Sequence, residues 1–201
     1  MIARAAMLGA AGLITASCGD VRDPAPAAAP NSLAPAIVAA EATAPPSSTT
    51  GRSSQFTKLT ESTCKLVETI EETGDWVRSC QGVGGHAVEW SSGDLRENLV
   101  VSKDGRKSSL EIPALVANGA FDRLGETVEW RGPGGSEPDV LVVRVHVAGP
   151  DGRDDSGRLA IARLSPSPCL VAIVPPGPEQ SDRARTIADR PLPDCLPNRA
   201  E

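Results

Sequence analysis

CKLVETIEETGDWVRSCQ, residues 64–81, is the stretch that indicates the fold of this chain. Two runs rich in β-branched and aromatic residues, Cys64–Ile70 and Trp76–Gln81, flank a Glu-Glu-Thr-Gly turn and so predict a β-hairpin. If residues whose numbers sum to 144 are paired across the hairpin, Cys64 lies directly opposite Cys80. Opposed Cα atoms of an antiparallel pair are about 4.5–5.5 Å apart, which suits a disulfide. The stretch therefore predicts a hairpin closed by a Cys64–Cys80 disulfide.

Further short strands follow this hairpin, separated by clusters of Gly, Pro, Asp and Ser. The predicted strands are Ala87–Trp90, Leu95–Ser102, Thr127–Arg131, Val140–Val147, Leu159–Leu164 and Cys169–Val174. A single helix is predicted at Glu179–Asp189, and Pro191 ends it. The pattern predicts a mainly β fold, an antiparallel sandwich or a small barrel, with one C-terminal helix.

Charge and aromatic content argue against a nucleic-acid partner. The net charge of the chain is −6 and its pI is about 5.0, so a phosphate backbone would be repelled. The chain has three tryptophans, two phenylalanines and no tyrosine, too few rings for a stacking platform. We expect neither DNA nor RNA to be the ligand.

The N-terminus has the pattern of an export signal. Residues 1–4 include one arginine, and Ala5–Ile14 is an uncharged apolar run too short to cross a bilayer as a helix. The following Thr15-Ala16-Ser17-Cys18 resembles the lipobox of bacterial lipoproteins, although Thr15 stands where leucine is usual. The resemblance implies removal of residues 1–17 and acylation of Cys18.

The resemblance also implies a location. Gly19, rather than aspartate, follows the cysteine. In lipoproteins of this kind that favours the outer membrane, with the protein facing the periplasm. The alternative is an ordinary signal cut near Ala25–Ala29, which would discard Cys18 and leave a soluble periplasmic or secreted protein.

The remainder of the chain divides into a tether and a domain. Residues 18–54 are rich in Ala, Pro, Ser and Thr and lack aromatic side chains, so they cannot bury enough apolar surface to offset the cost of ordering the backbone. They predict a disordered tether. Residues 55–201 are predicted to form the disulfide-linked β domain.

The cysteine count supports lipidation and a second disulfide. Five cysteines are an odd number for an exported protein, and lipidating Cys18 leaves four. After Cys64 and Cys80 are paired, Cys169 and Cys195 remain and would tie the chain end to a core strand. Because no Cys-x-x-Cys spacing is present, we predict neither a metal site nor a cofactor.

A set of short segments extends over nearly the whole domain in a specific order: Phe56-Thr57, Leu59, Cys64, Trp76, Cys80–Gly85, Gly93–Arg96, Phe121–Gly125, Glu129–Gly132, Cys169, Ala184–Asp189 and Cys195. In these segments the chain resembles a family of small, functionally uncharacterised exported proteins of Gram-negative bacteria. The resemblance implies a two-disulfide β domain and no known activity.

The residues favour a non-catalytic binding module that acts on an envelope protein partner. The only two histidines, His86 and His146, and the absence of a Gly-x-Ser-x-Gly motif argue against a serine hydrolase. A sharper version is an inhibitor of a periplasmic hydrolase, by analogy with other small disulfide-linked lipoproteins. The rival is an enzyme that uses carboxylates, with Glu89 and Glu129 or Asp94 as acid and base.

Whether four arginines in or beside the resembling segments lie close together in the fold is left open by the sequence. If clustered they would bind an acidic partner, and if scattered they would be solvated; they are Arg78, Arg96, Arg123 and Arg131.

Overall fold

Two five-stranded antiparallel sheets lie face to face in the computed structural model, which describes residues 51–134, 137–151 and 154–197. The strands are β1 (Arg52–Lys58), β2 (Cys64–Ile70), β3 (Asp75–Gln81), β4 (Ala87–Gly93), β5 (Arg96–Lys103), β6 (Arg106–Ser109), β7 (Asp122–Pro133), β8 (Val140–Ala148), β9 (Asp154–Arg163) and β10 (Cys169–Val174). The helices are α1 (Ile112–Leu115) and α2 (Gln180–Ala188). The sheets do not close into a barrel, so the sandwich prediction is confirmed.

The two sheets differ in how their strands are connected. Sheet 2, ordered β2-β3-β4-β5-β6, is a meander in which every strand pairs with its neighbour in sequence. Sheet 1 is ordered β1-β7-β8-β9-β10, so β1 pairs with a strand from the far side of the meander. This crossover places the first strand of the domain in a sheet whose other four strands come from the second half of the chain.

Two apolar clusters explain the sequence of the central strand β8. Leu141, Val143 and Val145 face the core between the sheets, together with Val88 and Leu99 of sheet 2. The alternate residues of β8 face the opposite side, where α2 covers sheet 1. Because both faces of β8 are covered at its start, residues 140–143 are a continuous apolar run, whereas Arg144 and His146 make the second half of the strand alternate.

The structure adds elements that the sequence pattern did not predict. Strands β1 and β6 are missing from the prediction because their sequences, RSSQFTK and RKSS, lack an apolar alternation. The four-residue helix α1 is too short to show a helical period. Strand β1 begins at Arg52, three residues before the boundary expected at Gln55.

The expected signal peptide, most of the tether and Cys18 lie outside the described residues. Among the residues that the structure does describe, no helix is long and apolar enough to span a membrane.

Both predicted disulfides are confirmed. Cys64 pairs with Cys80 across the β2–β3 hairpin at a Cα–Cα distance of 4.4 Å. Cys169 of β10 pairs with Cys195 beyond α2 at a Cα–Cα distance of 5.7 Å. Two disulfides in one domain indicate an oxidising compartment outside the cytoplasm.

Candidate functional site

The three carboxylates suggested by the sequence are not brought together. Val88 and Val128 are core residues between the sheets, so their neighbours Glu89 and Glu129 point to opposite outer sides of the sandwich. Glu89 forms an ion pair with Lys107, and Glu129 accepts hydrogen bonds from Ser54 and Arg185. Asp94 lies in the β4–β5 turn and pairs with Arg96. These residues therefore do not form a common acid–base site.

The arginines suggested by the sequence also have separate roles. Arg78 pairs with Glu61, and Arg96 with Asp94. Arg131, only 3% exposed, makes a bidentate ion pair with Asp189 just after α2. These three arginines do not form one basic patch for an acidic partner, and the fourth, Arg123, lies on β7 in a cleft described next.

A cleft lies where the tip of one sheet meets the beginning of a strand of the other. It is lined by Leu95, Glu97, Phe121, Asp122, Arg123 and His146, and its volume is about 300 Å³. We call it the Leu95–Phe121 cleft. Two of the segments quoted for the family resemblance, residues 93–96 and 121–125, meet in it.

The β4–β5 turn positions one rim of the cleft. Gly93 pairs with Arg96, so Asp94 and Leu95 form a two-residue hairpin loop, and both have positive φ, 49° and 59°. The backbone N–H of Asp122 donates to the carbonyl of Leu95 at 3.2 Å, which latches the tip of sheet 2 to the start of β7. The Leu95 side chain is left 70% exposed.

The other rim is aromatic. Phe121, 47% exposed, immediately precedes β7, and its carbonyl accepts a hydrogen bond from the backbone N–H of Ala148 at 2.9 Å. The Arg96 guanidinium lies 5.0 Å from the centre of its ring. The mouth of the cleft is thus bounded by two exposed apolar side chains held on well-anchored backbone.

Two carboxylates form the base of the cleft. Glu97 Oε2 accepts hydrogen bonds from the indole N–H of Trp90 at 2.9 Å and from the backbone N–H of Leu124 at 2.8 Å. Asp122 Oδ1 accepts the backbone N–H of Glu97 at 3.0 Å. Asp122 Oδ2 is buried and has no hydrogen-bond partner among the described residues. The ion pairs of the described residues include neither carboxylate.

The environment of Asp122 changes its acidity. Burial raises the pKa of this carboxyl to about 6, the hydrogen bond from the Glu97 backbone opposes the shift, and the nearby Glu97 charge adds to it. Arg96 lowers it by a smaller amount. A carboxyl of this kind in a cleft, with one oxygen unsatisfied, is a functional-site candidate on physical grounds.

The basic residues of the cleft are already engaged. Arg123 and His146 are cross-strand neighbours on β7 and β8 and form the wall beside Asp122. Each also takes part in an interaction of its own. The cleft therefore presents basic as well as acidic side chains to a ligand.

No group of three or more His, Cys, Asp or Glu side chains within the described ranges is placed to hold a metal ion. His86, the other histidine, donates from Nδ1 to the Val83 carbonyl at 2.9 Å and stacks near Trp130, as a structural histidine does.

Neither cleft carboxylate was predicted from the sequence. Glu97 and Asp122 are 25 positions apart, and the Leu95–Asp122 backbone latch and the hydrogen bond from the Glu97 backbone to Asp122 bring them together. No sequence pattern signalled this, because Leu95 was predicted to begin a strand, whereas it lies in the turn before β5.

Comparison of the chain with protein-family models, with curated proteins and with solved structures finds no match. The family resemblance of the sequence therefore stays a prediction, apart from its two disulfides.

Proposed function

We propose that this chain is an exported lipoprotein of the bacterial envelope, and that its domain is a non-catalytic binding module whose binding surface is the Leu95–Phe121 cleft. The observation that carries the proposal is Leu95, an exposed apolar residue at positive φ. Left-handed backbone costs a residue with a side chain about 1 kcal/mol, and exposed leucine gains nothing from burial. Stability of the turn alone would favour glycine or asparagine here.

The neighbouring side chains support the same proposal. Leu95 and Phe121 rim one concave surface above buried polar groups. Central apolar or aromatic anchors with polar groups between them are typical of the residues that dominate protein interfaces. The backbone of both residues is fixed by hydrogen bonds, so little conformational freedom would be lost on binding.

A pull-down tests the binding surface. The full chain is cross-linked in its native envelope as wild type, Leu95→Gly and Phe121→Ser, with Leu66→Ser as the control because Leu66 is an exposed leucine on β2. We expect one protein partner to be captured by wild type and control and lost from both cleft variants. Capture that is unchanged in both cleft variants, or no capture by wild type, would refute the proposed surface.

A stability measurement separates binding from folding in this test. Leu95→Gly suits the positive φ of the turn, so the variant should unfold at the same or a higher denaturant concentration than wild type. Loss of the partner from a variant that is at least as stable as wild type assigns Leu95 a role in binding rather than in the fold.

The anchor is tested separately. In the proposed arrangement a lipid on Cys18 holds the domain at the periplasmic face of the outer membrane. Radiolabelled palmitate should be incorporated into the full chain and not into a Cys18→Ser variant. A chain that carries no label and fractionates as soluble would support the alternative of an ordinary cleaved signal.

A more specific version is inhibition of a periplasmic hydrolase. The exposed Asp94-Leu95 tip favours it, because an inhibitor presents a rigid, protruding loop to the active site of its target. The partner captured in the pull-down, once purified, would lose turnover when wild-type protein is added and keep it when Leu95→Gly is added.

The rival enzyme proposal rests on Asp122 and Glu97 rather than on Glu89 and Glu129. A carboxyl with a pKa of about 6 beside a second carboxylate is a known arrangement for acid–base work. Turnover of an envelope substrate by wild type that is abolished in Asp122→Asn, with no stable partner in the pull-down, would favour the enzyme.

A further inference from the structure

Two adjacent carboxylates, Asp122 and Glu97, line the Leu95–Phe121 cleft, where Arg123 and His146 form the neighbouring wall and Arg96 only weakly lowers the pKa of Asp122. Asp122 is only 7% exposed, lines the cleft, and its Oδ2 atom has no hydrogen-bond partner among the described residues. Glu97 lies beside it with one oxygen held by Trp90 and Leu124. Two adjacent carboxylates in a partly desolvated site are stabilised by a positive charge placed between them and the opening.

The walls of the cleft determine the shape of that cation. Leu95 and Phe121 form an apolar mouth above the carboxylates. A small hydrated ion would gain nothing from these walls. A lysine or arginine side chain has an alkyl stem for the apolar mouth and a charged head with several N–H donors for the carboxylates.

The size of the cleft agrees with a single side chain. Its volume of about 300 Å³ is at the lower end of the range of small-molecule sites. The mouth is open between exposed rims, so a side chain can enter from a partner surface that rests on Leu95 and Phe121.

We infer that the Leu95–Phe121 cleft receives a lysine or arginine side chain of a protein partner, with its charged head at Asp122 and Glu97 and its stem between Leu95 and Phe121. This inference rests on the proposed binding function and names the chemistry of the residue that the partner inserts. Oδ2 of Asp122 is buried without a partner in the isolated protein, so the carboxyl would turn toward the opening to accept a hydrogen bond from that head.

The test uses three small probes of equal backbone: N-acetyl-arginine amide, N-acetyl-norleucine amide and N-acetyl-glutamate amide. Each is titrated into the full chain with ¹³C-labelled leucine methyl groups, and the Leu95 signal is followed. We expect a saturable shift with the arginine probe alone. An Asp122→Asn variant should bind that probe at least about tenfold more weakly, the loss expected for one charge-assisted contact.

Matched variants keep this test interpretable. Glu89→Gln removes a carboxylate on the outer face of sheet 2 and should leave the binding unchanged. Glu97→Gln provides a second variant of the cleft and should also weaken it. Equal binding of norleucine and arginine would overturn the inference, and so would binding of the glutamate probe or retention of full affinity in both cleft variants.

The failure of this inference is distinguishable from failure of the proposed function. A partner captured through Leu95 and Phe121 without binding of the arginine probe would overturn the ligand chemistry and leave the binding module. Binding of the arginine probe without a captured protein, and with equal binding of a free polyamine such as spermidine, would overturn the assignment to a protein side chain.

Discussion

Arg131 and Asp189 form a buried bidentate ion pair that ties the C-terminal part of β7 to the residue after α2. Arg131 Nε lies 2.6 Å from Asp189 Oδ1, and its Nη2 lies 2.7 Å from Oδ2. Arg52 of β1 reaches the same carboxylate at 3.2 Å, and Arg131 Nη1 donates to Ser54 at 2.8 Å. The helix, the edge strand and the neighbouring strand are thus joined through one carboxylate.

Replacing Asp189 with asparagine should destabilise the domain strongly. The change removes the paired counter-charge of the buried Arg131 guanidinium and leaves only Glu129, linked to it through Ser54, which costs about 3 kcal/mol. Urea unfolding of the full chain at neutral pH would measure it. Glu89→Gln is the control, because its exposed pair with Lys107 should contribute less than about 1 kcal/mol. Equal losses in the two variants would contradict the structural role of Asp189.

The disulfide between Cys169 and Cys195 should account for a similar share of stability. The bond closes a loop with a sequence separation of 26, so replacing both cysteines with serine should cost about 3 kcal/mol through the entropy of the unfolded chain. Thermal unfolding compares the variant with wild type before and after reduction. A reduced wild type that unfolds at the same temperature as the oxidised protein would contradict this expectation.

Because of Asp122, we expect the folded domain to lose stability as the pH rises. Its pKa is about 6 in the folded protein and 3.8 in the unfolded chain, so the folded state binds the proton more tightly. The resulting stability is present below the lower pKa and is lost as the pH passes through about 6. An Asp122→Asn variant lacks this dependence and should be more stable than wild type at high pH by up to about 3 kcal/mol.

The measurement is urea unfolding of wild type and Asp122→Asn at a series of pH values. Glu97, Arg96, Arg123 and His146 remain in both proteins, so the difference between the two curves isolates Asp122. A difference that does not grow between about pH 4 and pH 7 would refute the prediction.

Gly82 should tolerate no side chain. A Cβ atom there would lie 2.6 Å from the His86 carbonyl oxygen and 2.8 Å from the Trp130 ring. Since both are fixed in the core, Gly82→Ala should cost about 2 kcal/mol through overpacking. Gly93→Ala is the control, because its nearest atom would lie 3.7 Å away. Chemical denaturation of both variants checks the difference, and equal stability would be inconsistent with the close packing.

The sequence was informative where a pattern has a direct geometric meaning. The Cys64–Cys80 pairing was predicted correctly, but the register next to the turn was not, since Ile70 pairs with Asp75 and a bulge between Leu66 and Glu68 brings the cysteines opposite each other. The second disulfide followed by elimination. The strand β8 was found from its apolar run, although that run alone does not reveal that α2 covers one of its faces.

The cleft could not be predicted, because its parts depend on backbone conformation and on contacts between the sheets. A leucine at position 95 does not signal a positive φ. Asp122 becomes buried only when β7 meets the β4–β5 turn. The polar strand β1 was missed for a related reason: its order comes from pairing with β7, not from its own residues.

The crossover of β1 also determines when this strand can pair as the chain emerges. Strands β2 to β6 emerge next to their pairing partners, whereas β1 must wait for β7 until residues 59–121 have been synthesised. A waiting strand with free backbone groups is a hazard when it is apolar, because it can pair with another chain. The first four residues of β1 are Arg52-Ser53-Ser54-Gln55, so the strand that waits longest for its partner carries little that would promote aggregation.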